Sequence, residues 1–298
     1  MWSSFRSCLA RIVGLATVSA ALVVAPVTTS LRAEAAASPG GYWLMTASGS
    51  ISGFGTASPS FGLPSPLSLN RPIVGAALTP GARGMWLVGA DGGVFAAGGN
   101  AGFFGSAVGL RLAAPIVGMA PTPDGGGYWL VGADGGVFSF GDAVFYGSAA
   151  GTHLNAPIVG IAASPSGHGY ELAGADGGVL TFGDAICWGC DVLPALAAPI
   201  VGIVASPGPG YWLVGADGAV LAAGPHNPNP PAGAGFYGSL AGEHLNARIV
   251  GMTATPDAHG YWLVGADGGV FSFGDAAFHG SAAATPLAHP MVGMATAG

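Results

Sequence analysis

A unit of about 43 residues recurs six times along this chain. Copies of so short a unit bury their apolar faces only by stacking against one another, which restricts the fold to a repeat architecture. Each copy opens on Gly-Tyr-Trp-Leu-Val or a close variant. The starts are Tyr42, Met85, Tyr128, Tyr170, Tyr211 and Tyr261, spaced by 43, 43, 42, 41 and 50 residues. Only the fifth copy carries an insertion, the proline-rich stretch Pro225 to Pro231.

The unit predicts four short strands and no helix. In the copy around residue 170 these are Ile158 to Ala163, Tyr170 to Gly174, Val179 to Phe182 and a fourth around Ile186 to Trp188. Asp176-Gly177-Gly178 between the second and third is a hairpin signal, because glycine supplies the positive φ such turns need. Four strands per unit of this length is the grammar of a propeller. The expected fold is all-β, a six-bladed β-propeller of four-stranded blades. The C-terminal strand, Met291 to Ala295, joins the Tyr42 strand of the first blade and so removes two exposed edges. A second phasing, each blade running from Tyr-Trp through Ile-Val-Gly, stays open.

Composition fits this reading. Charged residues make up only 7% of the 298, with no lysine, and the mean hydropathy is +0.57. The 55 glycines and 23 prolines fall in register with the repeat, which speaks for packed structure over low-complexity disorder. Residues 1–37 are expected to be a signal peptide and 38–298 the six-repeat propeller. Arg6 and Arg11 precede the apolar stretch Ile12 to Val27, and Ala33-Glu34-Ala35 or Ala35-Ala36-Ala37 offers a cleavage site. Beyond that stretch no apolar run is long enough for a helical span, so no membrane insertion is expected after cleavage. The remainder holds four arginines, Arg71, Arg83, Arg111 and Arg248, against thirteen carboxylates. That balance argues against nucleic acid as a partner.

The phrases from Thr122 to Asp142 and from Thr255 to Asp275, TPD-x-x-GYWLVGADGGVFSFGD in outline, resemble the blades of WD40-like and YVTN-type propellers. They are closer still to the GYWLV/DGGVFSFGDA repeat arrays of secreted actinobacterial proteins. The likeness covers Gly41 to Gly298. It implies an accessory module of an extracellular protein and carries over no catalytic residue. The chain lacks the Trp-Asp dipeptide and the strand-capping histidine of WD40 proteins.

Residues able to carry chemistry fall mostly at repeated positions, which is the mark of architecture. Trp43, Trp86, Trp129, Trp212 and Trp262 share one strand position and are expected to form the core between blades. Glu171 replaces tryptophan in the fourth copy, and a place at a solvated rim is expected for it, the alternative being a buried acid. The hairpin and Gly-Asp aspartates are expected to bond nearby backbone amides. The strands nearest the axis carry glycine and no Asp, Glu or His, so they offer nothing for general acid–base catalysis. Asn70, Asn155 and Asn246 alternate with Ala113, Ala197 and Ala288 just before these strands, with His153, His244 and His289 close by. They form the candidate ligand-binding set, suited to hydroxyls or amides, the competing role being turn capping. Cys187 and Cys190 are read as a structural disulfide of an exported protein. No metal and no cofactor are expected.

The sequence therefore predicts a secreted, extracellular or envelope-associated binding module, monomeric, for a protein partner or a cell-wall or other glycan. The alternatives are a propeller hydrolase or lyase with its site on a loop face, and a structural component of the envelope.

Overall fold

The computed structural model describes residues 40–57, 61, 67–188, 196–225 and 233–297. The predicted signal peptide, Cys190 and nearly all of the Pro225–Pro231 insertion lie outside these residues. The described chain is all-β apart from one 3-10 turn at Pro80–Ala82. Its strands are β1 (Gly41–Thr46), β2 (Ile51–Gly55), β3 (Ile73–Leu78), β4 (Gly84–Gly89), β5 (Val94–Gly98), β6 (Ile116–Pro121), β7 (Gly127–Gly132), β8 (Val137–Gly141), β9 (Ile158–Ala163) and β10 (Gly169–Gly174). They continue as β11 (Val179–Gly183), β12 (Ile200–Ala205), β13 (Tyr211–Gly215), β14 (Val220–Ala223), β15 (Ile249–Ala254), β16 (Gly260–Gly265), β17 (Val270–Gly274) and β18 (Met291–Ala297). No helix of the described residues is long and apolar enough to cross a membrane.

These strands make six antiparallel three-stranded sheets, one per repeat, in a propeller-like arrangement. The first sheet is β18-β1-β2, and the other five follow in chain order from β3-β4-β5 to β15-β16-β17. The sequence-derived partner of the Tyr42 strand is the observed one. β18 runs antiparallel to β1, with Tyr42 opposite Thr296 and Trp43 opposite Ala295. All middle strands are buried along their length, as expected for strands packed on both faces.

The hairpin between middle and outer strands shows how the repeat encodes the sheet. In Gly132-Ala-Asp-Gly-Gly136, Gly135 takes φ 78°, the Gly132 amide donates to the Gly136 carbonyl, and Asp134 accepts the Gly136 amide at 3.1 Å. That leaves Ala133 free to join sheets. Its N–H donates to Pro115 O at 2.9 Å in its own sheet, and its carbonyl accepts Ile158 N–H of the next sheet at 2.9 Å. The same pair of bonds recurs from sheet to sheet. It returns to the start through Met291 N–H to Ala266 O, Ala47 N–H to Pro290 O and Ile73 N–H to Ala47 O. Glycine lets the strands nearest the axis approach one another: a methyl group built on Gly251 would sit 3.1 Å from the Gly293 Cα.

One element of the prediction is corrected. Among the described residues each sheet has three strands, and the expected fourth, around Ile186 to Trp188 and its described counterparts, lies outside any ladder. Side chains satisfy its backbone instead. Tyr128 Oη accepts Phe104 N–H at 3.3 Å and donates to Gly105 O at 2.6 Å, while Trp86 Nε1 of the preceding sheet donates to Gly102 O at 2.7 Å. Gly105 and Gly147, at φ 134° and 132°, turn the segment out of strand geometry. The segment is thus a wedge between two sheets, clamped by the tryptophan of one and the tyrosine of the next. Trp129 with Tyr146 and Tyr170, and Trp262 with His279 and Tyr42, repeat the arrangement.

Candidate ligand-binding site

The tryptophans are where their repetition placed them. Trp86, Trp129 and Trp212 are fully buried and Trp43 and Trp262 nearly so, which removes them from any exposed stacking surface. The hairpin aspartates Asp91, Asp134, Asp176, Asp217 and Asp267 each accept the backbone N–H two residues on. The Gly-Asp aspartates differ from expectation, since hydroxyls of the turn after the innermost strand reach them. Thr122 donates to Asp142 at 3.1 Å, Ser164 to Asp184 at 2.8 Å and Thr255 to Asp275 at 3.2 Å. In the second sheet Thr79 meets Asn100 at 2.7 Å in the same role.

These hydroxyl residues, each followed by proline, form a collar at one end of the axis. Thr79, Thr122, Ser164, Ser206 and Thr255 are buried, and their hydroxyls are engaged within their own sheets. Inside the collar lies a cavity of about 690 Å³ lined by all six innermost strands. Its wall is Ala76, Met119, Ile161, Ile203, Met252 and Met294 with neighbouring alanines and the collar prolines. Thr253 and Thr296, its remaining hydroxyls, bond each other at 2.7 Å. A second cavity of about 160 Å³ adjoins the glycines nearer the hairpin end. Neither is lined by a titratable side chain. Lined among the described residues by apolar side chains and paired hydroxyls, the axis is suited to an uncharged, mostly apolar group.

Asn70, Asn155 and Asn246 stand on alternate sheets at the opposite, hairpin end, three residues before β3, β9 and β15. All three are exposed, as are His153, His244 and His289. None of the six lines either axial cavity. The three asparagine side chains make no hydrogen bond among the described residues, so they do not cap turns; Asn100, which does bond, has another place.

Two features depart from the leading sequence reading or lie outside it, the burial of Glu171 and an acidic cluster at the collar end. Glu171 is buried at 6% exposure, not at a solvated rim, and burial pushes its carboxyl up to about 7. Its strand position faces the neighbouring sheet in every copy, a signal that the repeat register already carried. Cys187 is disulfide-bonded, and the expected partner, Cys190, lies outside the described residues. Asp257, His259 and Asp275 come together at the collar end, with ligand-capable atoms within 4.8 Å of one another and His259 Nδ1 3.2 Å from Asp257. The Thr255 hydroxyl and the His259 contacts hold Asp257 below the usual carboxylate range, while burial and Asp257 raise Asp275. Spacing could not show this group, because pairing of Gly260 with Gly274 brings Asp275 back beside residues 257–259.

No protein-family model matches the chain, and no curated protein does.

Proposed function

We propose that this chain is an exported six-bladed propeller that binds a ligand on its axis and does no chemistry on it. The observation that carries this reading is the collar-end cavity. It is large enough for a ligand, is walled by all six repeats, and has its polar groups already paired. A ligand group entering it is uncharged and largely apolar, since burying an unpaired charge there would cost several kcal/mol. The signal peptide expected from residues 1–37 and the resemblance to secreted repeat arrays support an extracellular or envelope-associated role for a monomer.

A second reading takes the ligand as glycan, read at the hairpin end by Asn70, Asn155 and Asn246. The unbonded state of these three amides favours it, because each offers two donors and one acceptor to hydroxyls or N-acetyl groups. A protein partner would find apolar anchors in Phe103, Phe145, Phe236 and Phe278, more than half exposed at one repeated position.

Ala76 separates these readings. It lines both axial cavities, where the other five sheets carry Met119, Ile161, Ile203, Met252 and Met294. Ala76→Met therefore restores the repeat consensus and is expected to fold like the parent while filling part of the cavity. Ligands found with the exported protein by melting shift, from a panel of neutral acyl compounds, glycans and peptides, should bind Ala76→Met at least tenfold more weakly. Binding insensitive to Ala76→Met but lost in the triple Asn→Ala variant moves the site to the hairpin end. Turnover of any panel member overturns the non-catalytic reading.

A further inference from the structure

Four seams between neighbouring sheets stack the tryptophan of one sheet on the tyrosine of the next. The pairs are Trp86–Tyr128 at 5.7 Å, Trp129–Tyr170 at 5.5 Å, Trp212–Tyr261 at 6.1 Å and Trp262–Tyr42 at 5.5 Å between ring centres. Trp43 packs with Met85 at a fifth. Between the fourth and fifth sheets the wedge position belongs to Glu171, opposite Ala162 and Thr181 in its own sheet. Tyr211 stands in the tyrosine position, and burial, with Glu171 second, pushes its phenol up to about 12.

Tyr211 donates to Trp188 O at 2.9 Å, as the corresponding tyrosines donate to the clamped segments of the other seams. Trp188, half-buried against this cluster, supplies aromatic bulk from the outer segment, next to the disulfide-bonded Cys187. The charged and titratable groups acting on Glu171 are Asp184, just after β11, and Tyr211 of β13. Asp184 is itself held by Ser166 and Ser164 and influenced by His168. No arginine or histidine pairs with Glu171 among the described residues. An ionised carboxylate here has a like charge nearby and no counter-ion.

We propose that the seam between β10 and β13 is a proton-operated joint, shut when Glu171 is protonated and loosened when it ionises, while the other five seams hold. Burial first, with Asp184 adding, lifts the carboxyl from its ordinary 4.5 to about 7 in the shut seam. Because the shut form has the higher value, it is fully favoured below pH 4.5. It loses ground as pH rises from 4.5 to 7, and the loss levels off above that. The opening constant rises about tenfold per pH unit over that window, on the order of a hundredfold in all.

The test is amide hydrogen exchange on the whole chain from pH 4.5 to 8.5, corrected for intrinsic exchange, with Glu171→Gln and Glu171→Trp beside the parent. Protection of residues 169–174 and 211–215 in the parent should fall on the order of a hundredfold more than that of residues 127–132, with an inflection near pH 7. Glu171→Gln should abolish this difference, and Glu171→Trp should give the flat profile of the other seams. If Trp188 blocks the larger side chain and Glu171→Trp does not fold, Glu171→Gln decides alone. A parent-like pH dependence in Glu171→Gln overturns the proposal. So does an equal loss of protection in all six middle strands.

Discussion

Deleting residues 291–298 should abolish cooperative folding, although only eight residues are lost. Met291, Met294, Ala295 and Ala297 of β18 are all at least nine-tenths buried. They pack with Tyr42, Leu44 and Trp262 on one side and with Trp43, Met45 and Leu87 on the other. Losing a buried methionine side chain costs about 2–5 kcal/mol, and two go together here. The deletion also strips β1 of its ladder partner, removes the backbone bond Met291 N–H to Ala266 O, and unties Pro290, whose carbonyl accepts Ala47 N–H. The sum rivals the whole stability of about 5–15 kcal/mol expected for a folded domain. Circular dichroism melting and hydrogen exchange check it. A deleted chain melting within a few degrees of the parent would mean that the first sheet stands without β18.

Trp129→Ala should be the most damaging single substitution among the repeated positions. Trp129 is fully buried, its ring lies 5.5 Å from Tyr170 and 6.5 Å from Tyr146, and its Nε1 donates to Val144 O at 2.8 Å. Truncation removes a large wedge from between two sheets and frees the clamped segment, costing about 3–5 kcal/mol. For a chain of this size that is a fall on the order of 10 °C in melting temperature. The measurement is a denaturant or thermal melt of parent and variant. A loss below about 1 kcal/mol would show that neither the ring nor its clamp bond holds the seam.

Much of this architecture can be read from the repeat itself. The Gly-Tyr-Trp phrase, the Asp-Gly-Gly hairpin and the Ile-Val-Gly strand are local signals, and three strands of each unit follow from them within about a residue at each end. The partner of Met291–Ala295 follows from counting, because an unmatched edge in each of two sheets is costly. The clamped segment is different. Its apolar and aromatic composition suits a strand, yet its amide and carbonyl partners are the phenol and indole of other repeats, and no period in the segment reveals them. Glu171 misleads for a related reason: its charge suggests solvent, while its position in the register requires burial. The cavity depends on the radius at which six strands meet, which no single unit carries. The collar hydroxyls lie some 20 residues from their aspartate partners in sequence and meet only across the sheet.

The most direct test of the account is a circular permutant. It would begin with Met291–Ala297, continue through a Pro-Asp-Gly-Gly turn copied from Pro123–Gly126, and run from Gly41 to Pro290. If β18 is the innermost strand of the first sheet, the permutant has six sheets each continuous in sequence. It should then fold cooperatively and melt at or above the parent temperature. Failure to fold, with the parent stable under the same conditions, would contradict a ring completed by its last strand.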